Sequence, residues 1–164
     1  MLLVKTKLDV SPIHGIGLFA DEIIHEGAII WKFHDLIDLR FAEERIEQLT
    51  KSAREQIRKY SYREKHSGLY VLCGDDARFF NHSENPNCFD TYSGEKEDLT
   101  IARRDINAGE ELTCDYALFD LDWTLGKYRI PVSGCLSIIN RSSDLIITAS
   151  FLIIKNDAVM RKPN

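Results

Sequence analysis

Cysteine is scarce and scattered in this sequence. Cys73, Cys88, Cys114 and Cys135 form no Cys-x-x-Cys pair, so their spacing supports neither a disulfide framework nor a zinc ribbon. Long apolar runs are missing too. The longest, Leu145 to Ile154, is ten residues broken by Thr148 and Ser150, about half of what a membrane span needs. The opening MLLVKTKLDVSP is too polar for a secretory signal, which leaves Asn81-His82-Ser83 and Asn140-Arg141-Ser142 without force as glycosylation acceptors. An excess of positive charge is also lacking: 26 acidic against 21 basic residues give a net charge of −5. That balance disfavours direct nucleic-acid binding and suits a cationic partner. The expectation is a reduced, intracellular, soluble protein with no membrane association.

What is present fits one domain. The 164 residues are enough for a single core, and 44% hydrophobic with 29% charged residues is ordinary for a globular chain. Strand-like stretches at LLVKTKLDV, GAIIWKF, SGLYVLCG, ARFFNHS, DLTIARRDI and EELTCDY are separated by turn signals. Between them, residues 38–66 carry Leu39, Ala42, Ile46, Leu49, Ala53, Ile57 and Tyr60 at spacings of three or four. Such a stripe predicts an amphipathic helical insertion, as one helix or two. ALFDLDWTLGKY reads as a short helix and CLSIINRSSDLIITASFLII as β-prone. The fold class is therefore mainly β with a helical insertion, α+β overall.

Three segments concentrate chemistry-bearing residues. HGIGLFA places two glycines around one residue, which lets a backbone approach a ligand closely, although a plain turn explains it as well. RFFNHSENPNCF sets a polar row against Phe79 and Phe80. A strand entering a turn accounts for it, and so does a wall that presents Asn and His to a small molecule. AGEELTCDYALF leads from a turn into a strand ending at Asp115-Tyr116, where a phenol can orient an amine or move a proton.

Taken in order, GxGxFA, a variable insertion, ARFFNHSxxPN and GEELTxDY resemble the SET-domain family of protein lysine methyltransferases over roughly residues 4–118. The resemblance implies a SET-domain fold of small β-sheets with a pseudoknot-like crossing. It implies a domain at 1–118, with 119–164 as a tail that closes the substrate channel or mediates association, as in a homodimer. It implies S-adenosyl-L-methionine as cofactor, with Gly15, Ile16 and Gly17 offering backbone to its amino-acid end. Arg78, Phe79, Asn81 and His82 would cradle it, the Asn81 side chain near the amino-acid portion and His82 at the adenine largely through backbone. Tyr116 would face the target nitrogen, and the substrate channel would take in Cys114, Phe33, Tyr70, Phe119 and Trp123. The partner would be a protein substrate carrying a target lysine, a histone or another basic protein, met in the cytoplasm, the nucleus or a host nucleus.

Such a site needs no metal. A lysine amine with a pKa of about 10.4 is only about 0.1% neutral near pH 7.4, and a narrow apolar channel beside a sulfonium favours the neutral form. Orientation then lowers the barrier by several kcal/mol. The phenol's own protonation state stays open. Several departures from the family stand out. Glu84 occupies the position where many members carry a cysteine, and the tail holds only Cys135, so no three-cysteine zinc site can be assembled. Cys114 stands where an aromatic is common, implying a roomier pocket, and Trp31-Lys32-Phe33 replaces a tyrosine-containing strand. A SET-fold binding module with little turnover is the alternative function. A catalytic Cys114 thiol paired with His66 or His82, and a metal hydrolase built on His14, His82 and Asp115, both lack supporting spacing.

Overall fold

A computed structural model of the chain describes residues 1–92 and 98–127. The β-prone end, Cys135 and any association through the tail lie outside the described residues.

Among the described residues, four small sheets carry the architecture. β1 (Thr6–Val10) and β2 (Ile16–Ala20) form an antiparallel hairpin pairing Thr6 with Ala20 and Val10 with Ile16. Its turn is held by the Ser11 hydroxyl, which accepts from the amides of Ile13 (2.9 Å) and His14 (3.1 Å). β3 (Ile29–Lys32) joins β9 (Asp98–Ala102), which also pairs antiparallel with β8 (Cys88–Tyr92). β4 (Leu39–Phe41), β6 (Tyr70–Leu72) and β5 (Ser61–Arg63) make the third sheet, with β6 in the centre.

The insertion departs from one continuous stripe. It holds β4, then α1 (Glu43–Glu47) and α2 (Lys51–Tyr60), which starts at a Thr50 cap whose hydroxyl accepts from Ala53. Ile46 on α1 is buried, whereas Leu39 on β4 and Leu49 between the helices are 56% and 41% exposed and α2 buries no residue, so the apolar spacing is not one core seam. Arg58 bridges Glu43 (3.2 Å) and Glu47 (2.5 Å), tying the two helices together at the surface.

Two further expectations needed correction. ARFF is not a strand: Asp75 caps a single 3-10 turn, Asp76–Phe79, by accepting from the Ala77 amide, and only Asn81–His82 (β7) is extended. β8 was missed, because Asn85-Pro86-Asn87 reads as a turn and hides the alternation that begins at buried Cys88.

The crossing is built from β7 and β10 (Thr113–Cys114), which run parallel with Asn81 opposite Thr113 and His82 opposite Cys114. Asn87 clamps the same junction. Its Nδ2 donates to the Glu111 carbonyl (2.8 Å) and its Oδ1 accepts from the Thr113 amide (2.9 Å). The main core lies beneath, with Leu18, Ile30, Cys88, Ile106, Leu112 and Cys114 essentially inaccessible. The expected domain boundary at 118 falls inside α3 (Tyr116–Phe119), which is followed by α4 (Leu121–Thr124).

Candidate active site

The crossing places three distant segments around one cavity of about 540 Å³, a size suited to a small organic ligand. Gly15 and Ile16 line its rim from the hairpin, Arg78, Phe79, Asn81 and His82 from the stretch around β7, and Cys114, Tyr116, Phe119 and Trp123 from the end of the described chain. Ten residues expected from the sequence thus meet in one place.

Local hydrogen bonds explain how. Gly15 has φ +54°, a left-handed conformation that only glycine adopts cheaply, and it turns the chain into β2. Gly17 stands behind the cavity wall and not in it: a Cβ there would lie 2.2 Å from Glu111 Oε1 and 2.8 Å from Glu111 Cδ. Its small size serves the close approach of Glu111. That carboxylate accepts from Asn81 Nδ2 (2.7 Å) and from the Ser11 hydroxyl (3.0 Å). Asn81 Nδ2 also donates to the carbonyls of His14 (3.2 Å) and Ile16 (3.3 Å). Asn81 therefore braces the glycine turn as well as lining the cavity.

Tyr116 opens α3 after Asp115, whose Oδ1 accepts from the Ala117 amide (2.9 Å). The Tyr116 amide donates to His82 Nδ1 (3.3 Å), and its hydroxyl donates to the Phe80 carbonyl. The rings close around it: Trp123 stands edge-on at 5.3 Å and 85°, Phe119 at 5.7 Å and 70°, while His82 lies 4.5 Å from Trp123. Burial, with Cys114 and Asp120 nearby, pushes the Tyr116 phenol well above its usual range, so the protein holds it protonated. Cys114 is likewise kept as a thiol by burial and by its neighbours Cys88 and Asp90, which removes it as a nucleophile.

Two expected channel residues stand elsewhere. Tyr70 is buried on the central strand of its sheet, and its hydroxyl donates to Asp122 (2.9 Å). Phe33 lies beyond the end of β3, edge-on to Trp31 and covered by the Arg40 guanidinium at 3.7 Å. Neither lines the large cavity. Residues the sequence reading passed over do: Trp31, Tyr62, Asp90 and Thr100 form its inner wall. Asp90 was accessible to reasoning, since period two from buried Cys88 turns it inward; Tyr62, at the end of the insertion, gave no signal.

A second cavity of about 200 Å³ shares Trp31, Tyr62, Asp90 and Phe119 with the first and has its own rim at Lys65, His66, Thr91 and Leu118. Beside it, Glu64, His66 and Asp98 bring possible ligand atoms within 4.8 Å of one another. The Arg40 guanidinium already serves as their cation, at 2.6 Å from Glu64 and 2.7 Å from Asp98. Burial and the adjacent Glu64 carboxylate raise Asp98 to about 7. His14, His82 and Asp115 form no such group among the described residues.

Residues 15–117 match the family model described as "SET domain". The histone-lysine N-methyltransferase set1 of Dictyostelium discoideum is 34% identical over 118 residues, 68% of this chain and 8% of that protein. Human histone-lysine N-methyltransferase SETD1B is 32% identical over 124 residues, 68% of this chain and 6% of its own length. The chain thus spans less than a tenth of the curated relatives it matches. Among solved structures, a Plasmodium falciparum protein assigned as a histone methyltransferase aligns with TM-score 0.51 at 19% identity, covering 70% of this chain and 95% of that one. A Chaetomium thermophilum Polycomb Repressive Complex 2, a humanized mutant bound to an inhibitor, aligns with TM-score 0.55 at 24% identity, covering 74% and 16%. At those identities the structures speak for the fold alone.

Proposed function

Because the chain belongs to the SET-domain family, we propose that it is an S-adenosylmethionine-dependent protein lysine N-methyltransferase acting inside the cell on a histone or another basic protein. The observation that carries this reading is the pair of cavities with separate rims and a common inner wall at Trp31, Tyr62, Asp90 and Phe119. Reactants entering by different mouths would be separated only by these shared side chains.

The larger cavity fits the cofactor's chemistry. The His82 and Trp123 rings offer flat surfaces for an adenine, and the basic Lys59 and Arg78 side chains at the wall suit an amino-acid carboxylate. Gly15 and Ile16 backbone, Phe79 and His82 would hold it, with Asn81 keeping their turn in place. When bound, the cofactor supplies an electrophilic methyl group on a cationic sulfur.

The protein's own residues do the rest. With its proton given to the Phe80 carbonyl, the Tyr116 hydroxyl has lone pairs left to accept an N–H from the target amine, which fixes the direction of the nitrogen lone pair. A phenol kept protonated orients the amine and is not its base. The aromatic wall of Phe119 and Trp123 excludes water, which lowers the cost of a neutral amine. Alignment of this kind contributes several kcal/mol to rate without a covalent intermediate.

Incubation with methyl-labelled S-adenosylmethionine, purified histones and a cell lysate, followed by mass spectrometry, tests the reading. Label on lysine nitrogens is expected. Cofactor binding without label on any protein across that panel would instead identify a SET-fold binding module.

A further inference from the structure

Among the described residues, two buried side-chain polar atoms lack any hydrogen-bond partner, Asp90 Oδ2 and Trp31 Nε1, and both residues line both cavities. A buried carboxylate oxygen without a donor is costly to a fold, and one that persists calls for a cause such as a bound water or ion or a functional role. We propose that Asp90 is the receptor for the target lysine's ammonium at the junction of the two cavities, a specificity-determining residue that admits a cationic side chain and rejects a neutral one of the same length. The proposal rests on the lysine-transfer reading and adds to it a recognition step made by this chain's own carboxylate.

Several observations converge on it. β8 pairs Asp90 with Thr100, and the Thr100 hydroxyl donates to Asp90 Oδ1 at 2.5 Å, which fixes the carboxylate; beyond it the carboxylate has only the weak donor of the Cys114 thiol, and Oδ2 has no N–H or O–H partner. No ion pair to Asp90 is found among the described residues. The groups that face it from the packed elements are all uncharged acids in their ordinary state: Cys114 on β10, Cys73 after β6, Tyr62 on β5 and Tyr116 on α3. Asp98, the other carboxylate on the smaller cavity, is occupied by Arg40 at 2.7 Å. The net negative charge of that wall thus has no internal counter-ion at Asp90, and an entering ammonium supplies one. Burial raises the Asp90 carboxyl to about 6, so it is ionised at pH 8 and largely protonated at pH 5.

Lysine's side-chain head can be imitated by n-butylammonium, and its neutral counterpart by n-butanol. Both are titrated into the full chain by NMR at pH 8 and pH 5, where the ammonium keeps its charge. The native protein is expected to bind the ammonium at least tenfold more tightly than the alcohol at pH 8, and to lose that preference at pH 5. Asp90→Asn, which keeps shape and the Thr100 hydrogen bond, is expected to bind the two alike at both pH values. A native protein with no preference at pH 8, or with one that survives at pH 5 or in Asp90→Asn, overturns the proposal. The native titrations decide even if the variant fails to fold. Methyl transfer by a protein without the preference rejects Asp90 and keeps the activity; the preference without any transfer does the reverse.

Discussion

Replacing Asn87 by alanine should be among the most damaging single changes outside the aliphatic core. The side chain is 6% exposed and makes two good bonds across the crossing, to the Glu111 carbonyl at 2.8 Å and from the Thr113 amide at 2.9 Å. Alanine removes both partners and leaves a buried carbonyl and a buried amide unpaired, at about 1–3 kcal/mol each, so the expected loss is about 2–6 kcal/mol. For a chain of this size each kcal/mol lowers the melting temperature by about 2–4 °C, which gives a drop of roughly 4–24 °C. Asn85→Ala, two residues earlier in the same turn but exposed, should stay within about 0.5 kcal/mol of the native protein. Urea unfolding followed by circular dichroism measures both. A loss below about 1 kcal/mol for Asn87→Ala, or losses that do not differ between the two positions, would refute the clamp.

Gly17→Ala should weaken ligand binding in the large cavity more than it weakens the fold. The new methyl must push back the Glu111 carboxylate that holds Asn81, and with it the turn at Gly15; calorimetry with S-adenosylmethionine beside a melting curve separates the effects. Asp90→Asn should stabilise the protein at neutral pH. The folded carboxyl titrates at about 6 against 3.8 when free, so native stability falls as pH rises from about 4 to 6, and the variant escapes about 2–3 kcal/mol of that loss at about 1.4 kcal/mol per pKa unit. Equal pH dependence in the two proteins contradicts it. Cys114→Tyr, which fills space beside Tyr116, should shift a native product carrying more than one methyl toward monomethyl-lysine; mass spectrometry of one peptide run to completion shows whether it does.

The parts of the site that sequence exposes are those where side-chain type and local backbone agree. Asn81-His82 follows the Phe79-Phe80 pair and Tyr116 follows Asp115, and their segments meet through the backbone pairing of β7 with β10. Hidden features depend on through-space neighbours. The need for a residue without a Cβ at position 17 shows only when Glu111, nearly a hundred residues away, is found against it. Tyr70 has the right chemistry for a channel, but its hydroxyl donates to Asp122 and it lines neither cavity. Phe33 lies beyond the end of β3 under the Arg40 guanidinium, a partner that local sequence does not show. The insertion's spacing left one helix or two open, and the structure takes two, the second beginning at the Thr50 cap. Asp90 was legible only once β8 had been recognised as a strand.

Single-turnover methyl transfer by the native protein and by Tyr116→Phe, with S-adenosylmethionine binding measured on the same samples, is the most direct test of the proposed function. The substitution keeps the ring packed among His82, Phe119 and Trp123 and removes only the hydroxyl bonded to the Phe80 carbonyl. The expected result is native transfer to a lysine nitrogen, unchanged cofactor affinity in the variant and a rate lowered at least about tenfold, the equivalent of about 1.4 kcal/mol of transition-state orientation. A variant that transfers methyl groups at the native rate, or a native protein that binds the cofactor and transfers none, would contradict the account.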